Sequence, residues 1–225
     1  QTGELILNIR NDGFGVDDPR TRGPNTNRKL GFHSDRCDVI GFLCLQKAKC
    51  GGENQIVQSE EVEAIIRVER PDFHKVLCQP FPYKRHVVDQ GNRSPFCMQP
   101  IFSWRKRYFA CSYLRVLIDR ADADPQCPDL SEIQKQAIDF FDQVCGRAEI
   151  QDSFTLSRGD LVFLNNWTTL HRRTSFEDWE NPARKRHLLR VWLSMPNSRP
   201  LDESFRANFG AVEAGVLRGG MTPKD

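Results

Sequence analysis

The 225-residue chain has almost no surplus charge, with 32 Lys and Arg against 30 Asp and Glu and a formal net charge of +2. That balance gives no field strong enough to recruit nucleic acid or an anionic membrane, which leaves a small molecule as the natural partner. The sequence also has no run of about 18 apolar residues, the length a membrane helix needs. Its first residues lack the basic, apolar and small-residue segments of a secretory signal, so a cytoplasmic location is expected. It opens at Gln1-Thr2-Gly3 without a methionine, and residues ahead of Gln1 are expected to be missing. Its 8 cysteines form no C-x-x-C pair and no regular framework, which argues against structural zinc; they read as small core residues or free thiols. No repeat, low-complexity tract or linker divides residues 1–225, so one domain is expected. There is no heptad or long apolar stripe from which an oligomeric state could be read.

What is present begins with turns. Asn11-Asp12-Gly13, Asp17-Asp18-Pro19 and Arg22-Gly23-Pro24-Asn25 make a long polar approach. The apolar run Val39 to Leu45 then reads as a buried strand, Gly51-Gly52 ends that unit, and Gln55-Ile56-Val57 reads as a return strand. Ser59 followed by Glu60 and Glu61 predicts a helix start with the serine as cap; Val62, Ile65 and Ile66 share its apolar face, and Pro71 stops it near Glu69. Ser131 and Gln134 form a capping-box pattern ahead of a second helix that ends at Gly146. Phe96 to Ile118 reads as a hairpin turning at Arg105-Lys106-Arg107, while Phe154 to Trp167 and His187 to Leu193 supply further strands. Many short strands with two clear helices predict a mainly β domain with flanking helices, either a sandwich or a jelly roll.

Chemistry enters at Phe32-His33-Ser34-Asp35. Residues i and i+2 of an extended segment project to one side, so the imidazole of His33 and the carboxylate of Asp35 can reach one cation. Alone, an H-x-D is most often a pair of surface polar residues. His171 sits in the apolar stretch Phe163 to His171, where a core histidine is the plain alternative. Together, two histidines and one carboxylate form the facial triad that leaves positions open on iron(II) for a chelating co-substrate and dioxygen. Downstream, Arg186 and Arg190 lie four residues apart among strand formers and keep the same parity. A buried guanidinium needs an anion, and its planar fork matches a carboxylate.

With those residues in view, the chain resembles the taurine dioxygenase and TfdA-like family of 2-oxoglutarate-dependent oxygenases, which includes the clavaminate synthase-like enzymes. The resemblance runs from about Asn8 to Met221 and rests on three ordered blocks, FHSDRCDVIGFLCLQKAKCGG at 32–52, GDLVFLNNWTTLHRRTSFED at 159–178 and RKRHLLRVWLS at 184–194. It implies a cupin-like double-stranded β-helix, or jelly roll, with Fe(II) held by His33, Asp35 and His171. Arg186 matches the arginine that pairs with the far carboxylate of 2-oxoglutarate, and Arg190 matches a position that contacts either co-substrate or substrate. Relatives commonly carry Thr or Ser shortly after the glycine pair. Here Glu53 and Asn54 follow, so the Asn54 amide is the expected donor to the co-substrate.

The implied activity is oxidation of an unactivated C–H bond by hydroxylation, desaturation or cyclisation, with dioxygen consumed and succinate and carbon dioxide released. Asn25, Thr26, Asn27, Asn165, Asn166 and Arg190 are the substrate-side candidates, although turns rich in Asn usually exist for backbone reasons. An arginine beside iron suits a substrate acid, so an amino acid derivative or other small acid is expected. A zinc hydrolase on the same triad, which would not need the inward arginines, and a jelly-roll binding protein without catalysis are the alternatives. The stretch between Tyr83 and Phe96 is expected to depend on substrate for its order.

Overall fold

Strand Val39–Gln46 is apolar on both faces, and it lies in the middle of the larger sheet. A computed structural model describes residues 4–15, 18, 21–86, 89 and 94–221. In it, four antiparallel strands run in the order Ile6–Ile9, His187–Leu193, Val39–Gln46, Leu161–Asn165. Their inward residues Ile9, Cys44 and Leu188 pack with Leu156 into one apolar cluster. A second sheet pairs Thr169–Arg173 and Asp152–Phe154 on either side of Asn54–Gln58. Two connections carry the chain from the first sheet to the second. One runs from Val39–Gln46 through Cys50–Gly51, which pairs with Phe176–Glu177; the other runs from Leu161–Asn165 through residues 166–168. Strands that alternate between two facing antiparallel sheets make a mainly β jelly roll, the double-stranded β-helix.

Segment 54–58 is the strand expected at Gln55-Ile56-Val57, and it pairs in the second sheet and not beside Val39–Gln46. Gly51 (φ +68°) and Gly52 (φ +74°) turn it into the other sheet. A Cβ at Gly51 would stand 2.3 Å from the Ser175 carbonyl oxygen, so a left-handed glycine is what permits the crossing.

Helix Ser59–Glu69 forms where expected, but Ser59 is its first helical residue and Gln58 the cap position; the Ser59 hydroxyl instead faces the Trp167 carbonyl at 3.5 Å. Pro71 ends that helix and also opens Pro71–Leu77, because its fixed φ and missing N–H suit a first helical position. Helix Glu132–Cys145 carries the predicted reciprocal cap between Ser131 and Gln134. These three helices pack on one another through Val62, Ile66, Phe73, Leu77, Ile138, Phe141 and Val144.

The hairpin expected over Phe96 to Ile118 is shorter. Phe102–Arg105 and Tyr108–Cys111 pair around Lys106, whereas Phe96–Gln99 pairs back with Phe81–Lys84 and Arg115–Asp122 is helical. Leu117 and Ile118 are β-compatible in isolation, but Ile118 serves as the buried face of a helical turn.

All 8 cysteines are free and most are buried. Among the described residues no helix is long and apolar enough to cross a membrane. Residues 17 and 19 of the Asp17-Asp18-Pro19 turn, and 87, 88 and 90–93 of the Tyr83 to Phe96 stretch, lie outside the described residues.

Candidate metal centre

The backbone of His33 pairs with that of His171 in an isolated antiparallel bridge, N–H to carbonyl both ways at 3.0 and 2.9 Å. Directly opposed residues in such a bridge carry their side chains on the same side, and here the two imidazole centroids are 4.4 Å apart. Asp35, two residues beyond His33, turns its carboxylate to the same point. One ligand atom from each of His33, Asp35 and His171 lies within 4.8 Å of the others. His33 Nδ1 is 2.9 Å from the Gly31 carbonyl oxygen, which can only accept, so Nδ1 is the donor in that bond and Nε2 is the nitrogen left to serve a metal. His171 is buried, and burial, together with His33 and Arg190, pushes its pKa down to about 3, leaving a neutral ring near neutral pH. Burial alone raises Asp35, but Arg190, His33 and His171 outweigh it and hold the carboxyl below its usual range. A neutral His171 and an ionised Asp35 are the protonation states a divalent metal requires of those two ligands.

The turn between the ligands is held by residues far away in sequence. Asn166 is 1% exposed; its Oδ1 accepts the Asp35 N–H at 3.0 Å, its Nδ2 donates to Cys37 Sγ at 3.0 Å, and its own N–H donates to the Asp38 carbonyl at 3.0 Å. Asp38, also buried, accepts from Trp167 Nε1 at 2.9 Å and from Arg218, with an ion pair of 2.6 Å. Ser34 exchanges bonds with Tyr113, donating its N–H to the carbonyl at 2.8 Å and accepting the Tyr113 N–H on its hydroxyl at 3.1 Å. Asp38, Arg218 and Tyr113 escaped the sequence reading; only the acidic residue three positions past Asp35 hinted at any of them.

Arg190 extends Nη1 to Asp35 Oδ2 at 3.2 Å and lies 4.7 Å from the Trp192 ring centroid. Arg186 is 5% exposed, and its Nη1 is buried with no hydrogen-bond partner. A charged donor left unpaired in the interior is costly, so this atom calls for an anion. Gly52 makes room for it, since a Cβ there would approach Arg186 Nε to 3.3 Å. Gly52, Asn54, Thr155 and Leu188 line a cavity beside Arg186 of about 10 Å³, space for one oxygen-sized group. Asn54 Nδ2 reaches the Phe154 carbonyl at 3.5 Å, a weak contact. Thr155 shares that lining; it stands just past strand Asp152–Phe154, which pairs with Asn54–Gln58, so nothing near the glycine pair in sequence points to it.

The other substrate-side candidates engage backbone groups. Asn25 Oδ1 accepts the Arg22 N–H at 2.7 Å, Thr26 Oγ1 the Arg28 N–H at 3.4 Å and Asn165 Oδ1 the Trp167 N–H at 3.0 Å, while Asn27 Nδ2 donates to the Phe176 carbonyl at 3.3 Å.

With this geometry in place, the family model described as taurine catabolism dioxygenase TauD, TfdA family, matches residues 7–192. The chain belongs to the TauD/TfdA family. Curated relatives are FR-33289 synthase of Streptomyces rubellomurinus (strain ATCC 31215), 28% identical over 216 residues with 94% of this chain and 63% of that protein covered, and the taurine hydroxylase-like protein SAT17 of Stachybotrys chartarum, 24% identical with 81% and 49% covered. The chain thus spans about half to just under two thirds of the length of these relatives. Among solved structures, asparagine oxygenase in complex with Fe(II), 2S,3S-3-hydroxyasparagine and succinate superposes with a TM-score of 0.65 at 14% identity, covering 84% of this chain and 56% of that one. The non-heme iron oxygenase OrfP in complex with Fe and alpha-ketoglutaric acid gives 0.55 at 15% identity, covering 85% and 57%. At such identities the likeness is one of fold, and the fold is the TauD/TfdA family's double-stranded β-helix.

Proposed function

We propose that the chain is an Fe(II)- and 2-oxoglutarate-dependent oxygenase that oxidises a C–H bond of a small amino acid-like acid. The observation that carries this reading is the convergence of His33, Asp35 and His171 within 4.8 Å in a chain of the TauD/TfdA family. Two nitrogens and one carboxylate oxygen suit iron(II) and leave positions for a chelating acid and dioxygen. Arg186 fits the co-substrate, because its buried, unpartnered Nη1 is the donor a distal carboxylate would satisfy. A zinc hydrolase would have no use for that arginine.

In this reading bound iron, 2-oxoglutarate and dioxygen supply the oxidising chemistry, with succinate and carbon dioxide as co-products. The chain supplies position and charge. His33 Nε2, His171 and Asp35 hold the metal, Arg186 anchors and orients the co-substrate, and Thr155 and Asn54 stand beside it. Arg190, close to the metal ligands, orients the substrate. Asparagine oxygenase and OrfP, whose structures are described with a hydroxylated asparagine and a hydroxylated arginine, support an amino acid-like substrate. The 8 free cysteines suit a reducing compartment such as the cytoplasm. The test is succinate release from 2-oxoglutarate by the iron(II) protein across a panel of small acids. Asp35→Ala and His171→Ala should each abolish it while circular dichroism stays unchanged, and undiminished turnover in either variant overturns the assignment.

A further inference from the structure

Arg184, Lys185 and Arg186 are three consecutive cations that the fold sends three ways. Arg184 lays its guanidinium 3.7 Å from the Trp179 ring centroid. Arg186 is buried beside the co-substrate cavity. Lys185 lines a separate cleft of about 510 Å³ at one end of the four-stranded sheet, and Arg186 lines that cleft as well. Strand Ile6–Ile9 runs into the cleft through Arg10 and Asp12, strand Val39–Gln46 through Gln46, and the turn ahead of Leu161–Asn165 through Arg158. The opposite end of the sheet carries the Val39–Leu193 pair and, through the Asp38 N–H bond to the Leu193 carbonyl at 3.1 Å, the H-x-D turn. Strand His187–Leu193 spans about 20 Å at roughly 3.3 Å per residue, so a molecule in the cleft stands a strand's length from the metal ligands.

The backbone of this lining is fixed and its charge is unbalanced. The Gly159 N–H donates to the Cys44 carbonyl at 2.8 Å and the Ser157 N–H to Asp160 Oδ2 at 2.8 Å, which holds the turn that carries Arg158. The Lys185 N–H closes the turn Pro182–Arg184 at 3.3 Å, and Asn181 Oδ1 caps it by accepting the Ala183 N–H at 2.9 Å. Arg10, Arg158, Lys185 and Arg186 face one carboxylate in the lining, Asp12, which Arg10 already meets at 3.1 Å. Among the described residues Arg158 and Lys185 meet no carboxylate. In a chain whose net charge is only +2, such an excess of cations in one cleft is a local feature.

We propose that this cleft binds a small polyanion, a compound with two or more carboxylates or phosphates, which lowers the affinity for 2-oxoglutarate through Arg186. The effect on 2-oxoglutarate rests on the oxygenase reading, whereas anion binding in the cleft does not. The volume suits a metabolite-sized ligand. Each added acid group meets a further guanidinium or ammonium, so affinity grows with the number of acids. An anion in the cleft offsets the Arg186 charge that the distal carboxylate of 2-oxoglutarate would use, and by linkage each ligand weakens the other by the same factor.

Benzoate, isophthalate and trimesate carry one, two and three carboxylates on one ring, spaced too widely to chelate a metal. Titrated calorimetrically at low ionic strength into metal-free protein, trimesate should bind about tenfold more tightly than benzoate, from two added ion pairs of about threefold each. Pyrophosphate is the phosphate probe in the same titration; tighter binding than trimesate assigns a phosphate ligand, weaker binding a carboxylate ligand. Arg158→Gln combined with Lys185→Gln should cost trimesate about tenfold, whereas Lys106→Gln combined with Arg107→Gln, the same charge removed at the hairpin turn, should cost less than about twofold. If the cleft double variant does not fold, Arg158→Gln alone, at an exposed turn position, gives the contrast at about threefold. In iron(II)-loaded protein without oxygen, saturating trimesate should weaken 2-oxoglutarate binding by about fivefold and no further. The trimesate concentration needed for that effect should rise about tenfold in the cleft double variant, with 2-oxoglutarate affinity in the absence of trimesate unchanged. Equal affinity for benzoate and trimesate, equal losses in the two double variants, or 2-oxoglutarate binding that is untouched by trimesate or weakened without limit, overturns the proposal. Absence of 2-oxoglutarate binding to the iron-loaded wild type would instead overturn the oxygenase reading, and the metal-free titrations would still decide the cleft.

Discussion

Replacing Asn166 by Ala should weaken metal binding although Asn166 is not itself a ligand. The substitution removes the acceptor of the Asp35 N–H and the donor to Cys37 Sγ, both 3.0 Å contacts of a side chain that is 1% exposed. Leaving the Asp35 N–H without a partner costs about 1–3 kcal/mol, and the lost atoms add a small cavity term, so roughly 2–4 kcal/mol in all. For a chain of this size that lowers Tm by about 5–15 °C. The more specific effect is on the metal, because a freed Asp35 backbone no longer presets the carboxylate, and loss of such a support weakens affinity by about 10–100-fold. Competition titration of manganese(II) or iron(II) against a chelator, alongside thermal unfolding, measures both. Cys37→Ala removes only the weak sulfur contact and should stay within about threefold of wild type. An Asn166→Ala protein with lowered Tm but wild-type metal affinity would refute the positioning argument.

Arg190→Gln leaves the Asp35 carboxylate unpaired, with side chains only 14% and 10% exposed in the wild-type pair; the metal-free variant should lose about 3–5 kcal/mol, and metal loading should raise its Tm by more than it raises that of the wild type. An equal metal-induced rise in both proteins would contradict this. Gly52→Ala forces a left-handed residue (φ +74°) at about 1–2 kcal/mol and crowds Arg186, so the 2-oxoglutarate concentration needed for turnover should rise more than the substrate concentration; equal rises would detach Gly52 from the co-substrate. The folded metal-free protein keeps His171 neutral down to about pH 3 and His86 down to about 4, whereas the unfolded chain protonates both near pH 6.5. Stability should therefore be flat above about pH 6.5 with respect to these groups and fall as the pH drops below it, with His171 alone contributing a ceiling of roughly 4–5 kcal/mol. Denaturant midpoints that do not move between pH 7.5 and 4.5 would refute these assignments.

The parts of the molecule that were readable in the sequence are those governed by local rules. Ser131 and Gln134 announce a helix start because the cap is completed within three residues, and the apolar run at Val39 announces a buried strand. The H-x-D spacing is local as well, since strand parity alone puts His33 and Asp35 on one side. What stayed hidden depends on distant partners. The bridge between His33 and His171 joins segments far apart, and the Asp35 to Asn166 bond spans 131 positions. Asn166 looks like any turn asparagine until the H-x-D loop is folded against it. Segment 54–58 resembles a return strand because periodicity reports a face and not a neighbour. Arg115 to Ile118 was drawn into a hairpin by its branched residues, whereas its burial against the Phe81–Lys84 strand favours a helix.

In the proposed oxygenase, His33, Asp35, His171 and Arg186 build a single site for iron and 2-oxoglutarate. Anaerobic calorimetric titration of 2-oxoglutarate into metal-free and iron(II)-loaded protein, with Arg186→Ala as the companion, tests it most directly. Binding should require the metal and be weakened at least about tenfold by loss of the Arg186 ion pair. Binding of equal strength with and without iron, or untouched by Arg186→Ala, would contradict it.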